Sequence, residues 1–316
     1  MGGFLGELGK KLAERWLSLL VLPGALYLAV ATAALTLGQS DALDVVLLAD
    51  RIGGWAKAPA ASTAGGQVVV VAAVLAGAAL AGITAQALGS LVERVALAVG
   101  WRNWPAPFRW IADHRVCKRR RRWDSAHSAY QAGVARARRT HHGGAPPDSA
   151  QWRAAHQTRS RIAPERPDRP TWSGDRVHAT AVRLDRDHHL DLGTLWPHLW
   201  LHLPDAARAE ITMARQDLTR ATTLGGWAVL YAALTCWWWP AAPVAVTLLL
   251  TARYRIRSAV ATDALLREAA TRLHAVELAR HLGIDHVGPL TPQLGDTLTH
   301  LLHARPPAST PDCLSP

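Results

Sequence analysis

The chain has 316 residues, of which 49% are hydrophobic and 19% charged, and a formal net charge of +11. Length alone accommodates two soluble domains, but the apolar residues stand in a few uncharged blocks, which argues against soluble domains and for a helical membrane protein. The cationic excess, mostly arginine, suits phosphates of nucleic acid or of anionic lipid, while Cys117, Cys236 and Cys313 form no CxxC pair and read as free thiols.

Residues 2–15 form an amphipathic start, with Phe4, Leu5, Leu8 and Leu12 on one face and Lys10, Lys11 and Arg15 towards the other. An uncharged block then predicts a first span over about 15–38, long enough for ~30 Å of hydrocarbon. A cleaved signal peptide is the rival reading, although the block exceeds the usual apolar core of such a peptide. Residues 39–66 read as a small, polar connection, and the second span is expected over about 67–92. Trp101, Trp104 and Trp110 beyond it match an interfacial belt.

The region 101–221 is basic and mostly helical, with a flexible Pro/Gly linker expected over about 141–170. Pro164, Pro167 and Pro170 are expected to hold the chain extended. A second hairpin is expected over 222–256, its tip at the WWWP sequence ending in Pro240. Its arms are short, so a re-entrant hairpin is the alternative. Residues 257–316 add a C-terminal helix stopped by Gly283, a short helix near 291–303, and a Pro-rich tail.

This layout is an all-α membrane protein with two transmembrane hairpins, the first within 1–100. Lys10, Lys11 and Arg15 precede span one, Lys118 to Arg122 follow span two, and Arg253, Arg255 and Arg257 follow span four. The positive-inside rule then places both termini and the 100–220 region in the cytoplasm, at the plasma membrane.

Four surfaces stand out. Ala73, Gly77, Ala81, Ala85 and Gly89 recur every fourth residue, a small-residue ladder for span one or for a second copy. Lys118, Arg119, Arg120, Arg121 and Arg122 suit anionic headgroups, or less readily nucleic acid. Leu266, Ala269, Leu273 and Val276 make a seam suited to another helix. Trp172, Gly174, Asp175, Trp196, Pro197 and Trp200 compose a docking segment.

Catalytic and cofactor motifs are missing: the chain has no GxxxxGK[ST], GxGxxG or GxSxG. His198 and His202 share helical spacing, but the glutamate of HExxH and a fixed third ligand are lacking, so no metal is expected. The central spans hold no charged residue, which disfavours coupled transport.

Pro170, Thr171, Gly174, Asp175, Leu190, Asp191, Trp196, Pro197, Leu199 and Trp200 lie in one segment. It resembles a family of uncharacterised bacterial, largely actinobacterial, four-span membrane proteins. There the pattern runs Pro-Thr-x-x-Gly-Asp, a Tyr-Gly-Leu-Asp-like stretch, then Trp-Pro-Arg-Leu-Trp. This chain departs from it by His188-His189 for Tyr-Gly and His198 for Arg. The resemblance implies topology and layout but no activity. The expected function is a non-enzymatic membrane anchor or scaffold, assembling with a partner protein or with itself. A pore-forming effector is the alternative.

Overall fold

The computed structural model describes residues 21–56, 63–142 and 149–303. The amphipathic start, with Lys10, Lys11 and Arg15, and Cys313 in the tail lie outside the described residues. Among the described residues there are ten α-helices and no strand. They are α1 (Leu22–Leu37), α2 (Val45–Ala56), α3 (Ala64–Leu97), α4 (Ala106–His142), α5 (Ser149–Ile162), α6 (Trp172–His188), α7 (Leu192–His202), α8 (Asp205–Leu234), α9 (Ala241–His281) and α10 (Pro292–Leu302). The chain forms two compact units, Met1–Val95 with Asp217–Ile256, and Ala96–Gln216 with Arg257–Pro316.

In the first unit, α3 is the one described helix long and apolar enough to cross a membrane. The apolar part of α8, Thr222–Leu234, spans only about 20 Å at ~1.5 Å per residue, short of the ~30 Å of hydrocarbon.

Small residues set how these helices pack. A Cβ on Gly24 would lie 2.0 Å from the Ala78 carbonyl oxygen, and one on Gly226 would lie 2.1 Å from that of Ala85. Gly89 meets the backbone of Thr223 in the same way. Backbones thus approach where no side chain could fit. Tyr27 adds an edge-on contact with Tyr231, ring centroids 5.3 Å apart.

The expected ladder drifts on the helix. Every fourth residue advances about 400°, so each rung rotates ~40° further around the axis. Ala73 is accordingly exposed, whereas Ala85 and Gly89 are buried. The buried stripe is Ala78, Gly82, Ala85 and Gly89, whose alternating spacing of four, three and four follows the true helical period.

The connection read as small and polar contains α2. Asp44 starts it, its Oδ1 accepting from the Val46 and Leu47 amides at 3.0 and 2.9 Å. Val45, Val46, Ile52 and Trp55 on this helix are exposed. The Trp-rich tip is clamped by Gln39, whose side-chain amide donates to the Thr235 and Cys236 carbonyls and accepts from the Trp239 amide. Trp238 Nε1 donates to the Ala42 carbonyl at 2.9 Å.

The second unit is organised around a leucine core, with Leu184, Leu190, Leu195, Leu199, Leu278 and Leu298 buried together. Gly295 of α10 lies so close to α6 that a Cβ would fall 1.7 Å from the His188 carbonyl oxygen. The linker expected over 141–170 is largely structured instead: 149–162 is helical, and Pro167 and Pro170 are buried against the fold. The backbone bends at 164–166 and 169–171, so the prolines do not hold one straight extended run.

Candidate functional site

The Pro-Thr-Trp-Ser-Gly-Asp segment begins α6 and is the polar centre of the second unit. Thr171 is the N-cap, its Oγ1 accepting from the Gly174 amide at 3.0 Å. The same hydroxyl donates to the Ala96 carbonyl at 2.6 Å. Gly174 is required here, because a Cβ would sit 2.5 Å from the Leu97 carbonyl oxygen.

Asp175, 3% exposed, is the hub. Its Oδ1 accepts from the backbone amides of Asp168 and Arg169 at 2.9 and 2.8 Å. Its Oδ2 accepts from Arg119 at 2.6 Å. A buried carboxylate needs such charge-assisted partners, since an unpaired charge costs several kcal/mol (roughly 3–5). Arg119 also donates to the Ile162 carbonyl. Arg120 donates to the Pro167 carbonyl at 2.8 Å and to Asp168 at 2.6 Å. Trp123 Nε1 donates to the Ala163 carbonyl.

The basic run therefore divides. Arg119 and Arg120 bind the 162–168 loop, while Lys118, Arg121 and Arg122 are exposed. Of the five cations expected to contact anions, Arg119 and Arg120 thus spend guanidinium donors on the loop and on Asp175 and Asp168. Arg169 packs beneath, its Nη1 donating to the Leu97 carbonyl. Burial pushes its guanidinium below the ordinary value, against the pull of Asp168 and Asp175.

The Trp-Pro half starts at Asp191, the N-cap of α7, which accepts from the Gly193 amide at 3.0 Å. The Thr194 hydroxyl, then the amides of Gly193 and Thr194, hold this carboxyl below the usual carboxylate range. Leu195 and Leu199 are buried in the core, Trp196 and Trp200 pack against it, and Pro197 is exposed on the helix. The Arg267 guanidinium lies over Trp196, 4.9 Å from the ring centroid. The Arg257 guanidinium lies over Trp172 at 4.5 Å. These tryptophans thus meet this chain's own arginines.

The C-terminal seam is not one face. On the C-terminal part of α9 the buried positions are Ala259, Val260, Asp263, Ala264, Ala270, Thr271, Ala275, Leu278 and Ala279. Leu266 and Val276 are half-buried against the core, whereas Ala269 and Leu273 are exposed, Leu273 at 72%. The difference is one of phase: much of the contact is carried by Ala270, Thr271, Ala275 and Ala279, beside the expected positions rather than on them.

Sequence reading missed a histidine cluster at the end of α9. The His274 Nδ1 lies 2.7 Å from Glu277 Oε2, His202 Nε2 lies 3.9 Å from the same oxygen, and the His202 and His281 rings are 4.2 Å apart. The His274 hydrogen bond holds the Glu277 carboxyl below its ordinary value. Among the described residues no group of three or more His, Cys, Asp or Glu is arranged to hold a metal ion.

No protein-family model, no curated protein and no solved structure matches this chain. Its class rests on what the structure itself supports: among the described residues, an all-α fold with one helix of membrane-spanning length and composition.

Proposed function

We propose that the chain is a non-enzymatic, multi-pass membrane anchor or scaffold, with both termini cytoplasmic, that assembles with a partner protein or with itself. The observation that carries this reading is the environment of α3. Only 22% of its most apolar window is buried, so a core position within a soluble protein leaves most of that apolar surface unaccounted for. Lipid accounts for it. The apolar face of α2 suits the interface, and the short hairpin arms of α8 and α9 suit a pair that crosses against α3 or re-enters. The resemblance carried by the segment from Pro170 to Trp200 accords with this plan.

The distinctive residues outside the spans are engaged in folding, as Asp175, Arg119 and Thr171 are, or stand exposed on a helix face, as Ala269 and Leu273 do. The second arrangement supports assembly. The pore alternative drew on the ladder of α3, but Ala85 and Gly89 are occupied by Gly226 and Thr223 of the same chain.

Native mass spectrometry of protein extracted gently from its own membranes tests the proposal. A second polypeptide, or further copies of this chain, is expected at fixed stoichiometry. Ala269→Glu with Leu273→Glu, which leaves the buried face of α9 untouched, is expected to release it. A wild-type chain that is monomeric and alone refutes the scaffold.

A further inference from the structure

We propose that the outward face of α4 binds an anionic phospholipid surface, with Trp110 and Ile111 entering the headgroup layer and Arg115, Lys118, Arg121 and Arg122 meeting its phosphates.

Two stripes make this face. Trp110, His114, Cys117 and Arg121 follow one another at spacings of four, three and four, and Ile111, Arg115, Lys118 and Arg122 repeat that spacing one residue on. Neighbours differ by about 100°, so the stripes run side by side along the helix. All of these side chains are exposed, Trp110 at 73%, whereas Ala112, Val116 and Trp123 on the other side are buried. The Trp110 ring stacks on His114, their centroids 6.3 Å apart.

Both stripes begin apolar and end cationic. Among the described residues, Arg115, Lys118, Arg121 and Arg122 have no hydrogen-bond or ion-pair partner. Arg119 and Arg120, by contrast, hold the 162–168 loop. From Phe108 to Arg122 the one carboxylate is Asp113, which lies on neither stripe. The four free cations fall within about 10 Å of helix. A surface that matches them carries several negative charges over that length, as a membrane with anionic headgroups does.

The apolar end selects lipid over nucleic acid. Grooves for single-stranded nucleic acid combine aromatic rings with cations, so that bases stack while phosphates are held. Here Phe108, Trp110 and Ile111 precede the free cations along the axis, and isoleucine offers no stacking face. Tryptophan settles at the headgroup level of a bilayer, where long cationic stems lie on apolar surface and extend their charge to phosphates. Lipid as partner follows from α4 alone, whichever helices cross the bilayer, and so goes beyond the scaffold reading.

Cys117, exposed within the first stripe, reports the contact. The full chain, carrying Cys236→Ser and Cys313→Ser, is labelled there with an environment-sensitive fluorophore. It is placed in nanodiscs of phosphatidylcholine, with or without phosphatidylglycerol. Acrylamide quenching is expected to fall about threefold when phosphatidylglycerol is present, and to recover at high salt. Lys118→Gln with Arg121→Gln and Arg122→Gln is expected to keep the quenching seen in phosphatidylcholine alone, with hydrogen exchange over 163–171 unchanged. Equal quenching of the wild type in the two discs overturns the proposal, as does an undiminished fall in the triple variant. Trp110→Ser with Ile111→Ser is expected to shrink the fall, and a fall equal to the wild type overturns entry of the apolar end.

A fluorescent oligo-dT strand is the second arm. Binding of the strand that is lost in the triple variant, while phosphatidylglycerol leaves the label exposed, assigns the face to nucleic acid and overturns lipid. A chain that stays out of the nanodiscs refutes the spanning of α3 instead. The free chain is then floated with phosphatidylglycerol vesicles, which should bind it about a hundredfold more tightly than the triple variant. Equal flotation of the two overturns the proposal.

Discussion

Removing Arg119 tests whether the basic helix serves as the scaffold of the 162–171 loop. Arg119→Met leaves the Asp175 carboxylate in place with both its backbone donors, Asp168 and Arg169. What disappears is the 2.6 Å bond to Oδ2 and the bond to the Ile162 carbonyl. A fully buried pair broken on one side loses ~3–5 kcal/mol. Arg119 keeps 21% side-chain exposure against 3% for Asp175, so water recovers part of this and about 2–4 kcal/mol is expected. At ~1.36 kcal/mol per tenfold, amides in 163–171 should exchange about 30- to 900-fold faster by hydrogen exchange of the full chain. Arg121→Met, on the exposed neighbour, is expected to change nothing. Adding Asp175→Asn to Arg119→Met should restore part of the protection, because the unpaired charge is gone. If Arg119→Met accelerates exchange by less than about threefold, the carboxylate is held by its amide donors alone and the basic helix is not the loop's support.

Close backbone approach gives a second prediction: Gly24→Ala and Gly226→Ala should each destabilise the packing by about 1–3 kcal/mol of overpacking, read as a lower thermal aggregation midpoint in detergent, whereas Gly65→Ala, facing open space, should leave the midpoint unchanged. The N-cap of α7 gives a third. Asp191 has a depressed folded pKa, so its stabilisation is complete above the unfolded value of about 4 and lost as pH falls through the folded value. Thr194→Val should therefore lower the melting temperature at neutral pH, with a difference from wild type that shrinks on acidification below pH ~4. A difference constant with pH would refute the assignment.

Much of the helical plan was legible because apolar period and helix stops are local. Gly283 is an example, its φ of +80° closing α9 where the apolar pattern ends. The α2 helix was not legible for a reason equally local. Its signal is a single Asp44 cap before an apolar run too short for a span, set among glycines and alanines. Gly226 was invisible because close approach is a property of two helices, and only Ala85, distant in sequence, makes that glycine necessary. Asp175 stood out in the motif, yet its partners Arg119 and the 168–169 amides were not inferable from spacing.

The arginine run presses the same point further. Five consecutive cations after an apolar helix satisfy the rule for membrane orientation whichever way each side chain faces, because that rule counts charge. Helix geometry does not treat them alike. Neighbours differ by about 100° around the axis, so a run of five must present some members inward. Arg119 and Arg120 face the loop and find Asp175 and Asp168, and Lys118, Arg121 and Arg122 remain outward. Neutralising the outward three should weaken contact with anionic membranes and spare the fold. Neutralising the inward two should open the loop, and any loss of lipid contact would follow from that.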